Sequence, residues 1–182
     1  MTRQNGIDGE LDWRHAVVDI PESGLAITRD ADASELKHIA DALDLCACDS
    51  LTVSYAIHPR GDGRYLLTGD LRAKVEQVCV VTLEPMTSAL HELFEVPFWP
   101  EQEVPSPAGG ELDLSYDRDP QPIIDGSIDV GRVVFECLAE SIDLYPRVPG
   151  AMLEQQSAGP SRETAGATGS PFAVLAKIKG NT

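Results

Sequence analysis

Aromatic side chains are scarce in this sequence, at 5% of residues, so a core must rely on Leu, Val, Ile and Ala. Cysteines are also few. Cys46, Cys48, Cys79 and Cys137 stand at irregular spacings, which argues against a disulfide framework and fits reduced thiols in a cytoplasmic protein. No apolar run approaches the ~20 residues that span a bilayer. The opening Met-Thr-Arg-Gln-Asn-Gly lacks the apolar stretch of a secretory signal. Cations are in short supply: 14 Lys and Arg face 30 Asp and Glu, for a formal net charge of -16 and a pI near 4.4. Phosphates and anionic membrane surfaces repel such a chain, so weak or no binding to naked RNA, and no membrane association, is expected. A basic partner is favoured. Acidity also keeps a protein dissolved, a role that requires no partner.

Motifs of the common enzyme classes are missing as well. There is no G-x-x-x-x-G-K-[ST], no G-x-G-x-x-G and no G-x-S-x-G. Cys46-Ala47-Cys48 leaves one residue between thiols, where zinc knuckles use roughly two to four. Cys79 and Cys137 lie in apolar segments and read as buried structural thiols. A cysteine nucleophile needs a histidine beside it, and His15, His38, His58 and His91 belong to no local motif. Asp30-Ala31-Asp32 and Glu111-Leu112-Asp113 lack the ligand count of a calcium loop and read as solvated loop charges. The expectation is no cofactor, no structural zinc and no catalytic residue. The alternative is a small hydrolase or other enzyme whose site is assembled from dispersed Asp, Glu and His.

What is present supports one domain. A domain of roughly 150 residues buries on the order of 70% of its unfolded surface and needs no metal or disulfide staple. Trp13 to Ile20 is apolar enough for a first strand, ended by Pro21-Glu22-Ser23-Gly24. Ser34 can cap a helix whose apolar face is Leu36, Ile39, Ala40 and Leu43. Leu51, Val53, Tyr55 and Ile57 alternate with polar residues, Pro59 to Gly63 supplies a loop, and Tyr65, Leu67, Gly69, Leu71 and Ala73 resume the period of two. That pattern predicts an antiparallel hairpin. Val75 to Leu83 reads as a more buried strand interrupted by Pro85. Leu90, Glu92, Phe94, Val96 and Phe98 share a face of a further strand, with a helix at its start as the alternative. Glu101 to Pro122, rich in proline, reads as a loop. Ile128 to Leu144 has helical spacing and is stopped by Pro146, Pro149 and Gly150. The expected fold is α+β: a mostly antiparallel β-sheet, two principal helices and a flexible C-terminal tail. The expected divisions are a flexible N-terminus at 1–12, an α+β domain at 13–151, and a mostly flexible tail at 152–182 ending in a short apolar helix-like segment, Pro171 to Lys179.

One basic pair stands out against the acidity. Arg72 and Lys74 share the polar face of a strand, where such charges touch phosphate, meet an acidic partner, or only protect an edge.

The segment from Leu67-Thr68-Gly69 through Gln77-Val78-Cys79 to Leu83-Glu84-Pro85 resembles the signature of the YceD family. Ile128-Asp129-Val130-Gly131 through Glu136, then Tyr145-Pro146-Arg147-Val148-Pro149-Gly150, is similar to the family's second helix and its exit. The tail from Pro171 to Lys179 is similar to the usual terminal segment. The resemblance implies a non-enzymatic bacterial factor for synthesis, processing or stability of large-subunit ribosomal RNA. Its expected partner is a ribosomal protein or a particle containing ribosomal RNA. Many members carry Cys-x-x-Cys where this chain has Cys79-Val80-Val81-Thr82, and some carry a second pair downstream. Thr82 and the solitary Cys137 depart from that pattern, so a zinc site does not carry over. The candidate interaction residues are Arg72, Lys74, Gln77, Glu84 and Arg147.

Overall fold

A computed structural model describes residues 11–104 and 119–152. The expected flexible N-terminus up to residue 10, most of the proline-rich stretch and the tail beyond residue 152 lie outside the described residues. The chain divides into two units, Met1–Ala151 and Met152–Thr182, and every element below belongs to the first.

Period-two sequence builds most of this unit. Strand β1 (Arg14–Ala16) precedes β2 (Leu25–Asp30), helix α1 (Ala33–Ala42), β3 (Ala47–Gly61), β4 (Arg64–Val78), β5 (Pro85–Pro100), β6 (Gln121–Ile123), β7 (Ser127–Asp129) and helix α2 (Val130–Ser141). Strands β2-β3-β4-β5-β6 form one sheet in that order, and β1 pairs with β7 in a two-stranded ribbon. Every pairing is antiparallel except β5 with β6. The fold is therefore α+β, dominated by the sheet.

Alternation sends Leu51, Val53, Tyr55 and Ile57 of β3, Leu67, Leu71, Ala73 and Val75 of β4, and Phe94, Val96 and Phe98 of β5 to one buried face. Gly69 shares that face. A Cβ there would overlap the ring of Phe94, its register partner, so glycine leaves the aromatic ring its place. Helix α1 packs on β3, and α2 packs on β5 and β4. The buried side of α2 is Val130, Val133, Val134, Cys137 and Leu138. Gly131 completes it, because a Cβ there would overlap the carbonyl oxygen of Leu11. Leu11 itself is buried in the core, two residues before the expected domain start at Trp13.

Several local expectations are corrected. The first strand stops at Ala16, and Val17–Asp19 is a 3₁₀ turn, with Val18 exposed. An unexpected strand is β2, whose half-buried Leu25 and Ile27 alternate with exposed Ala26 and Thr28 over only six residues. Helix α1 is capped by Asp32, not Ser34. The Asp32 carboxylate accepts the amides of Ser34 and Glu35 at 2.8 and 2.9 Å, and Glu35 accepts the Asp32 amide at 2.8 Å, a complete capping box. The β3–β4 turn is tighter than Pro59 to Gly63: Asp62 (φ 51°) and Gly63 (φ 71°) form its centre, and the register shift at Pro59/Gly61 absorbs the extra residue. Val75 to Leu83 is not a separate strand, since β4 runs unbroken to Val78. Pro85 opens β5, where a strand's first residue tolerates the missing N–H, and the residues from Pro85 to Leu90 are strand, not helix. Gln121 and Pro122, read as loop, belong to β6. Helix α2 starts at Val130, because Ile128 pairs with His15 in the ribbon, and ends at Ser141. Cys79 and Cys137 are buried, as expected of structural thiols; of the close pair, Cys48 is buried and Cys46 exposed.

Candidate interaction surface

Two places hold the candidate residues. The first is the polar face of the sheet, opposite the buried one. Register aligns Asp30, Thr52, Arg72 and His91 in one row across β2, β3, β4 and β5, with Thr28, Ser54, Asp70 and Leu93 in the next. Arg72 Nε donates to Asp70 Oδ1 at 3.0 Å, and His91 Nε2 lies 3.1 Å from Asp70 Oδ2. These hydrogen bonds, Arg72 first and His91 second, hold the Asp70 carboxyl below its ordinary range. Lys74 Nζ lies 3.3 Å from Asp49. The basic pair is thus on the polar face, as its alternation implies, and each cation has a carboxylate beside it. The Asp70–His91 contact was not read from sequence; its only signal was the β4–β5 register.

The second place is the end of the sheet where β4 turns into β5. Cys79 to Glu84 forms a tight turn. The Cys79 amide donates to the Glu84 carbonyl and the Leu83 amide to the Cys79 carbonyl, both at 2.9 Å. The exit of α2 is laced to this turn. Gln77 Nε2 donates to the Asp143 carbonyl at 2.9 Å, the Val80 amide donates to the Pro146 carbonyl at 2.9 Å, and the Val148 amide donates to Cys79 Sγ at 3.4 Å. The Thr82 amide reaches the same sulfur at 3.5 Å. The hydrogen bond from the Thr82 hydroxyl, followed by those from the amides of Thr82 and Val148, favours thiolate and lowers the Cys79 pKa to about 7. Cys79 is shielded from solvent yet stands apart from the main apolar core.

Of the remaining candidates, Gln77, Glu84 and Arg147 gather at this end. Glu84 and Arg147 are exposed, whereas the Gln77 side chain is buried and joins the two segments. Gln77 Oε1 is buried without a hydrogen-bond partner. The role of Cys79 as a shared acceptor was hidden in the sequence, because its donors at Thr82 and Val148 come from segments far apart.

This turn does not supply a four-ligand zinc site. It offers one thiolate, Thr82 stands at the second knuckle position, and the described residues contain no group of three or more His, Cys, Asp or Glu able to hold a metal. An open depression of about 490 Å³ lies over Ala26, Thr28, Ser54, Ala56 and Thr68, and no carboxylate or imidazole lines it. A smaller one, about 250 Å³, is lined by Glu92, Leu93, Cys137, Glu140 and Ser141. His15 is engaged elsewhere, 2.8 Å from the Tyr55 hydroxyl, with its pKa lowered by burial and by Arg29. No described helix is long and apolar enough to cross a membrane.

No curated protein and no solved structure matches the chain. A family model does match, over residues 67–179, from near the start of β4 past the exit of α2 and so across the whole laced turn. The chain belongs to the YceD family, described as the large ribosomal RNA subunit accumulation protein.

Proposed function

We propose that this protein is a non-enzymatic factor for the accumulation of large-subunit ribosomal RNA in the bacterial cytoplasm, acting by binding a basic ribosomal protein or an assembly particle. The family match over residues 67–179 carries this reading. Electrostatics support a protein-mediated route. Arg14, Arg29, Arg64, Arg72, Lys74 and Arg132 each form an ion pair with a carboxylate of the same chain. Such cations contribute little to phosphate binding, which draws its affinity from counterions that unpaired Lys and Arg release. The net charge of -16 adds repulsion. Arg72, Lys74, Gln77, Glu84 and Arg147 remain the proposed interaction residues, with Gln77 acting by holding the surface together.

An enzyme built from dispersed acids and histidines finds less support. Among the described residues the Asp70–His91 pair is the nearest approach to acid–base geometry, and it lies on the polar sheet face with partly exposed side chains. The test is a deletion strain assayed for the ratio of large- to small-subunit ribosomal RNA. The expected result is a lowered ratio, restored by the wild-type gene; an unchanged ratio overturns the reading. Affinity purification with and without nuclease separates the routes, since ribosomal partners that survive nuclease are held by protein contacts.

A further inference from the structure

The end of the molecule where the Cys79–Glu84 turn meets the exit of α2 carries an unusual set of exposed apolar side chains. Leu83 is 76% exposed, Leu144 80% and Tyr145 69%, and Val80 is partly exposed at 43%. The hydrogen bonds from Val80 to Pro146, from Gln77 to Asp143 and to Cys79 from Val148 hold the two segments side by side. Scattered apolar residues on a surface need no explanation, but a group on two laced segments does.

Leu83 makes the case specific. Its φ is +58°, in the left-handed region that bulky L-residues rarely occupy. Gly or Asn would close the same turn with less strain. The side chain gains little from burial within its own fold, being three-quarters exposed. A strained backbone that presents a large apolar side chain to solvent is best explained by contact with a partner.

The charges around the group indicate which partner. Among the described residues, Glu76, Glu84, Glu140 and Asp143 lie on or beside the two segments in the chain, against the single cation Arg147. Another copy of this chain brings -16 against -16, and RNA brings phosphate; both are repelled. We propose that Leu83, Leu144 and Tyr145 form an apolar docking surface for a basic protein segment, whose own apolar side chains cover them while its Lys and Arg meet Glu84 and Asp143. This rests on the proposed function and specifies its surface and its partner's chemistry.

Leu83→Asn is the informative variant, because Asn tolerates the left-handed turn and removes the apolar side chain without harming the fold. Full-length wild type, Leu83→Asn and the double variant Leu144→Ser/Tyr145→Ser are titrated against individually purified basic proteins of the large ribosomal subunit. The controls are protein-free large-subunit ribosomal RNA and sedimentation of the protein alone. At least one ribosomal protein should bind wild type and lose about tenfold or more in affinity to each variant, as loss of buried contact residues at an interface does. The thermal midpoint of Leu83→Asn should equal or exceed wild type. The proposal is overturned by equal affinities, by binding of none of the proteins, by an unstable Leu83→Asn, or by variants that abolish self-association or RNA binding instead. Complementation of the deletion strain separates the levels. No change in the ribosomal RNA ratio on deletion sinks the proposed function. A ratio that falls on deletion but is fully restored by both variants sinks this surface and leaves that function standing.

Discussion

Thr82 and Cys79 set the chemistry of the laced turn. The Thr82 hydroxyl is the largest cause of the lowered Cys79 pKa, so Thr82→Val should move the thiolate midpoint upward from about 7 toward the ordinary 9.0, read by ultraviolet thiolate absorbance. An unchanged midpoint would show that the amides of Thr82 and Val148 suffice. The stability consequence follows from the sign of the shift. The folded value lies below the unfolded one, so the thiolate's contribution is fully present above pH 9.0 and is lost as pH falls through about 7. Urea midpoints of wild type should therefore rise between these values, and Cys79→Ala should flatten that rise. This residue was legible from sequence only as a buried thiol, because the turn that folds Thr82 back onto the sulfur and the approach of Val148 are both set by the fold.

At the scale of elements, the sheet and the second helix rest on close fits. Leu71 is fully buried at the centre of β4, and Leu71→Ala should cost about 2–5 kcal/mol in chemical denaturation, the range for a large-to-small change in a packed core. Gly131 lets the first turn of α2 approach the Leu11 carbonyl, so Gly131→Ala should cost about 1–3 kcal/mol by overpacking against backbone. A neutral Gly131→Ala would mean that the segment before β1 gives way easily. By contrast, Arg72→Ala should leave the urea midpoint nearly unchanged, since its bond to Asp70 is an exposed ion pair within one strand. Alternation made β3, β4 as far as Ala73 and the second half of β5 readable. It failed for β2, which is short, and for the starts of both helices, where Asp32 rather than Ser34, and Asp129 rather than Ile128, sets the boundary.

For the whole molecule the governing quantity is charge. At physiological salt, screening weakens repulsion only beyond ~8 Å, so the purified protein should bind protein-free RNA poorly even there. Association with a basic ribosomal protein should weaken as salt rises, with the on-rate falling more than the apolar contacts alone would allow. A titration over salt for both ligands checks this. Tight RNA binding at physiological salt would contradict it.

Composition and order along the chain determined the acidity, the α+β class, the long alternating strands and the family resemblance around Gly69 to Pro85. These are local or additive properties, and a linear sequence states them directly. Tertiary structure alone decided that Lys74 sits beside Asp49, that Asp70 meets His91, and that Cys79 accepts the amide of Val148. Each of these depends on strand register or on where α2 releases the chain. Those placements follow from the packing of the whole core, where a shift of one residue turns every side chain of a strand to the opposite face.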